Sequence, residues 1–204
     1  MINYIDLNTV LRRTVCDLFS DLVTRPTGVA VRDALERQLA QSRGPTLTVI
    51  DFSNVGLLDF SCADEIVAKL LLRYCAPRAA GGPTPLMLAD MTPSDVRATR
   101  EIYFMLSGVS DSHLDAIETV LERHGLASVA RRVDTGSVML VGTVDEQERH
   151  AWETMCQLGR TAPADLARAA GLELQQTVAL LDTLCGRGLA MRFDEAYIAV
   201  GAAQ

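Results

Sequence analysis

The stretch Thr46-Leu-Thr-Val-Ile-Asp-Phe52 constrains the fold more than any other part of the chain. It alternates and is rich in β-branched residues, so it reads as a strand, central in its sheet. A loop, Ser53-Asn-Val-Gly56, and the run Leu57-Leu-Asp-Phe60 separate it from a helix over about Ser61 to Cys75. Ile66, Val67, Leu70 and Leu71 form the apolar stripe of that helix. Upstream, Val31, Leu35 and Leu39 recur at i, i+4 and i+8 and predict a helix over Thr27–Ser42. Pro26 marks a turn before this helix and Gly44-Pro45 ends it. Strand and helix alternating in this order mean an α/β fold.

Downstream, Pro77 and Gly81-Gly-Pro-Thr-Pro85 read as a loop and Leu86-Met-Leu-Ala89 as a short strand. Thr92-Pro93 opens a predicted helix with Val96, Arg100, Tyr103 and Phe104 on its faces, ending near Gly108. Asp111 or Ser112 caps another that runs to His124-Gly125. Val129–Val133 and Ser137–Val141 flank Asp134-Thr-Gly136, a hairpin pattern. From Asp145 the pattern changes. A helix over Glu146–Leu158 is followed by one opened by Thr161-Ala-Pro-Ala-Asp165 and closed at Gly171. A third covers Leu172–Cys185, and a hairpin turns around Asp194-Glu195. The expected division is an α/β domain over 1–125, a connecting hairpin over 126–143 and a helical domain over 144–204.

Composition narrows the function classes. A chain of 204 residues makes one or two domains. The net charge of −7 makes a poor non-specific binder of nucleic acid or anionic membrane. Lys69 is the sole lysine. With no long uncharged apolar run and no basic-then-apolar start, the expectation is a cytoplasmic protein without a membrane span. Five cysteines, an odd number without a CxxC, read as reduced and mostly buried thiols, and His113, His124 and His150 lack metal-ligand spacing. No metal and no cofactor are expected. GxGxxG, GxxxxGK[ST] and GxSxG are all absent, so no common nucleotide or acyl-transfer motif supports an enzyme.

Two resemblances add to this reading. TAPADLARAAGLELQQTVALLDTLCGRGLAMRFDEAYIAV, Thr161 to Val200, resembles a winged helix-turn-helix: a helix with small alanines, a close turn at Gly171, a second helix and a two-stranded wing. VIDFSNVGLLDFSCADEIVAKLL, Val49 to Leu71, resembles the STAS family, in particular its STAS-like branch, over roughly residues 1–110. Asp51 ends the strand, and Asp59-Phe60-Ser61 stands where an Asp-Ser-Ser turn opens the helix in the family. Arg25, before a helix carrying Arg32, also fits; Phe60 in place of the first Ser departs from the pattern. The resemblance implies an anti-sigma-factor antagonist-like regulator, non-enzymatic, with a kinase-like ATPase or an anti-sigma factor as protein partner. It also implies a switch by phosphorylation at Ser61.

The candidate regulatory residues are therefore Asp51, Asp59, Phe60 and Ser61. Each has a structural alternative. Ser61 suits the N-cap of its helix, bonding the N–H of Asp64, and Asp59 suits a turn. Phe60 is an interface anchor if exposed and core if it folds inward. Asp64 and Glu65 fit a first helical turn, with Glu65 and Lys69 an i,i+4 ion pair. Arg131 and Arg132, adjacent on a strand, point to opposite faces and read as solvated strand ends. Trp152 reads as core with Met155 and Leu158. For DNA, the candidates are Arg160, Arg168, Gln176, Arg187 and Arg192. Residues 145–204 hold nine acids against five arginines, so a DNA-binding regulator with the STAS-like part as sensor stands as the alternative to a protein-binding one. Homo-oligomerisation stays open.

Overall fold

Five strands form one sheet in the order β1 (Ile2–Asp6), β2 (Thr46–Asp51), β3 (Ile102–Val109), β4 (Ala127–Arg132), β5 (Val138–Gly142). The computed structural model describes residues 1–14, 21–41, 44–75 and 102–202. β1 to β4 run parallel and β5 returns antiparallel. The α/β class expected from the sequence is therefore observed. The predicted hairpin over 126–142 is present as β4 and β5, which are strands of the main sheet.

One prediction fails on β3. The helix expected from Thr92 to near Gly108 is overturned over its second half, where Ile102–Val109 is a strand buried at every position. Ile102, Phe104 and Leu106 belong to one apolar core, and Tyr103 and Met105 to another. A strand covered on both faces shows a continuous apolar run, which periodicity alone does not distinguish from a buried helix. The strand expected at Leu86–Ala89 and the start of that helix lie outside the described residues.

The first core lies between one face of the sheet and four helical stretches. These are α1 (Leu7–Thr14), α2 (Arg25–Leu39), the run α3 (Phe60–Ala63), π (Asp64–Ala68) and α4 (Lys69–Tyr74), and α5 (Asp111–His124). α2 begins at Arg25 under a Thr24 cap, so Pro26 sits in its first turn, where its missing N–H costs nothing. α5 is capped by Ser110 and not by Asp111 or Ser112. Ser110 accepts from the His113 N–H, and the His113 ring accepts from the Ser110 N–H, a capping box.

The opposite face of the sheet carries Leu47, Val49, Tyr103, Met105, Val129 and Leu140. These share a second core with Trp152, Met155, Leu166, Leu181 and Leu184. The latter come from α6 (Glu146–Leu158), α7 (Pro163–Ala170) and α8 (Leu174–Gly186), which precede a hairpin of β6 (Ala190–Phe193) and β7 (Ala196–Ala199). Trp152 is core, as expected, whereas Leu158 is exposed. Gly201, at φ +87°, brings the chain end against the sheet: a Cβ there would overlap the Val138 and Val129 side chains. No described helix is long and apolar enough to cross a membrane.

Candidate regulatory face and nucleic-acid candidates

α2 lies against the start of the α3–π–α4 helix because Gly28 has no side chain. A Cβ there would meet Cys62 Cα at 3.0 Å and Glu65 Cβ at 3.1 Å. Close approach places two arginines of α2 over two acids of the π turn. Glu65 is buried, with Arg25 at 2.7 Å and with Arg32 and Lys69 also bonded to its carboxylate. The expected Glu65–Lys69 pair thus exists inside a larger network. Asp64 takes Arg25 at 3.0 Å and His124 Nε2 at 2.9 Å. Burial opposes ionisation of Asp64, but the bonds from His124 and Arg25 and the Lys69 charge outweigh it, holding its carboxyl below the usual value. Three cations around one buried carboxylate meet the requirement that a buried charge be paired and hydrogen-bonded.

The cap of this helix is Asp59, not Ser61. The Asp59 carboxylate accepts the Cys62 N–H at 2.8 Å. Ser61 Oγ donates to both oxygens of the same carboxylate, at 2.9 and 3.1 Å. One Asp59 carboxylate thus both caps the helix and holds the Ser61 hydroxyl, which leaves Ser61 half-buried beside an acid. Cys62, next in the chain, donates to the Thr24 carbonyl, and burial with the nearby Asp59 charge pushes its thiol up to about 12. That is an unreactive thiol. Cys75 is likewise buried, Cys156 and Cys185 are half-buried, and Cys16 lies outside the described residues.

Phe60 does not fold inward. It is 55% exposed at the first helical position. Beside it, Leu22 bridges Leu58 in parallel, with the Leu22 N–H donating to the Leu57 carbonyl and the Asp59 N–H to the Leu22 carbonyl. In extended chain, side chains alternate. Leu22 and Leu58 point inward and are buried, while Val23 (46%) and Leu57 (57%) point outward. Val23, Leu57 and Phe60 are thus three exposed apolar side chains on the segments that flank the Asp59–Ser61 turn. Sequence reasoning found Phe60 but missed Val23 and Leu57, because their exposure depends on the pairing of two segments far apart in the chain.

Asp51 is not part of this surface. It ends β2, buried, and accepts from Tyr4 Oη, the Ser53 N–H at 3.1 Å and Ser53 Oγ at 2.6 Å. Gly108, at φ +68°, lies so close that a Cβ would overlap Ser53 Oγ and the Asp51 carboxylate. The hydrogen bond to Asp51, burial and its charge push the Tyr4 hydroxyl up to about 12. Asp51 and Asp59 therefore have separate partners.

The nucleic-acid candidates are scattered. α8 has no lysine or arginine among its thirteen residues. Gln176 is exposed on it. Arg187 is committed elsewhere: it pairs with buried Glu148 and donates to the Thr143 carbonyl. Arg168 pairs with Asp165 at 3.2 Å, and Arg192 lies 5.6 Å from the Tyr197 ring centroid. Arg160 and Arg168 line one shallow hollow with Asp165. Arg132 pairs with Asp111 at 2.7 Å and Asp134 at 2.8 Å, so it is not a solvated strand end. Comparison with family models and with curated proteins finds no match.

Proposed function

We propose that this chain is a non-enzymatic cytoplasmic regulator that docks another protein on the Val23–Leu57–Phe60 surface, with Ser61 as its switch residue. In this reading the sheet and its first-face helices are a STAS-like domain and residues 144–204 a winged helix-turn-helix. The order of three helices and a hairpin, with Thr161 bridging Tyr197 as a third short wing strand, supports the second assignment. The observation that carries the function is the exposure of Phe60: a large aromatic held open beside two further apolar side chains fits an interface anchor. A kinase-like ATPase or an anti-sigma factor is the partner class. A phosphate on Ser61 would place nearly two negative charges against Asp59 and near Asp64, disturbing this surface where a partner sits.

The alternative, a DNA-binding regulator, is less well supported, because α8 offers no cation and Arg187 is held by Glu148. The test uses the full chain immobilised and exposed to an extract of its native host, beside Phe60→Asp. Retention of a kinase-like ATPase or anti-sigma factor by the wild type and its loss in the variant is the expected result. Equal retention by both forms, or retention of neither class by the wild type, overturns the reading.

A further inference from the structure

An open hollow of about 660 Å³ lies between the second face of the sheet and α6. This volume is in the range of small-molecule sites. Its walls are Arg131 and Val138 from β4 and β5 and Trp152, Glu153, Cys156 and Gln157 from α6. Arg131 and Arg132 do point to opposite faces, and their fates differ. Arg132 is paired twice on its side, whereas Arg131 has no ion pair among the described residues and is half-buried in the cavity wall. The Arg131 charge reaches the Tyr4 hydroxyl bonded to Asp51, but a guanidinium partly removed from water and without a direct ion pair among the described residues keeps fork positions for a carboxylate. Glu153 lines the same wall, exposed to solvent and without a salt bridge to Arg131 among the described residues; after burial, its charge helps push the neighbouring Cys156 thiol up to about 11. The remaining wall is largely apolar, from Val138, Trp152 and Cys156. Trp152 Nε1 is buried and has no hydrogen-bond partner among the described residues, a polar group the fold leaves unsatisfied.

We infer that this cavity binds a small organic carboxylate, its carboxylate on Arg131 and its apolar body between Val138 and α6. An aromatic or short aliphatic acid meets both demands, whereas inorganic phosphate meets only the first. The site lies on the opposite face of the sheet from Phe60 and Ser61, so it does not depend on the docking reading. Because its walls come from both the sheet and α6, an occupant sits at the edge of the second core, between the sheet and α6. That makes the cavity a place where a metabolite acts on the packing of 144–204 against the sheet.

The test measures binding of benzoate and hexanoate to the full chain by equilibrium dialysis. Benzyl alcohol and inorganic phosphate serve as comparisons. Trp152, the sole tryptophan, gives an independent emission signal from the cavity wall. At least one of the two carboxylates is expected to bind saturably, one per chain, and to change that emission. Benzyl alcohol and phosphate should bind about tenfold more weakly or worse, and Arg131→Gln should cost a similar factor. The melting temperature of Arg131→Gln should stay unchanged, since Arg131 has no ion pair to lose. Phe60→Asp should leave carboxylate binding intact even where it abolishes protein docking. Absence of saturable binding by both carboxylates, equal binding by phosphate, or undiminished binding in Arg131→Gln overturns the inference.

Discussion

Asp59 carries two duties at the start of its helix, and substitutions separate them. Asp59→Ala removes the cap and also releases the Ser61 hydroxyl, so it should cost about 1–2 kcal/mol in urea denaturation. Ser61→Ala keeps the cap and should cost clearly less. The reverse order would return the cap to Ser61. The sequence motif pointed to the right turn but to the wrong capping residue, because Asp and Ser two positions apart are both good caps and only backbone geometry chooses. Glu65 is a second residue whose weight was hidden. Its i,i+4 pair with Lys69 is visible in the sequence, but its contacts with Arg25 and Arg32 need α2 folded onto it. Glu65→Ala should leave three cations that all reach solvent without their shared partner and cost about 1–3 kcal/mol by the same assay. A loss under 1 kcal/mol would show that the network is screened by solvent.

At the scale of elements, α5 links its own capping to acidity. The buried His113 ring accepts the Ser110 N–H, and burial pulls its pKa below the ordinary 6.5, against weaker opposing bonds to the Gly56 and Val55 carbonyls. A depressed folded value means the neutral ring is favoured in the native state. Its contribution is therefore complete above pH 6.5 and is lost as the pH falls from there through the folded value. Asp64, also depressed, contributes above 3.8 and loses that contribution as the pH falls through its own folded value. Stability measured between pH 7 and 5 should decline in the wild type. It should decline less in His113→Gln, which keeps a capping box without a titrating ring. Equal slopes would remove His113 from the account. Elements with a marked residue pattern were legible from the chain: the α6 boundaries match the prediction, α2 was recognised, and so was β2, buried at every position but marked by Thr46 and Thr48 alternating with apolar residues. β3 was not, because it is also buried on both faces and its Ile102–Leu106 run holds no such alternating polar residue. β1 and α1 offered too short a pattern to be read.

For the whole molecule, the second core decides how the two halves behave. Trp152, Met155 and Leu184 pack in one cluster with Val49, Met105 and Val129 of the sheet, and Arg187 ties α8 to the 142–146 connection through the Thr143 carbonyl. Limited proteolysis should therefore spare 142–146, and Trp152 emission and far-ultraviolet circular dichroism should report one coincident unfolding transition. Two separated transitions would make 144–204 an independent unit. Arg187→Ala should lower stability by about 3 kcal/mol, since it strands buried Glu148, and should leave duplex DNA affinity unchanged. The central claim remains the docking surface with Ser61 as its control. Its most direct measurement is the dissociation constant of the purified partner for Ser61→Glu and Ser61→Ala, compared with the wild type. Ser61→Glu should bind clearly more weakly and Ser61→Ala like the wild type. If both variants bind alike and differ only in melting temperature, Ser61 serves the fold alone and the regulatory account is contradicted.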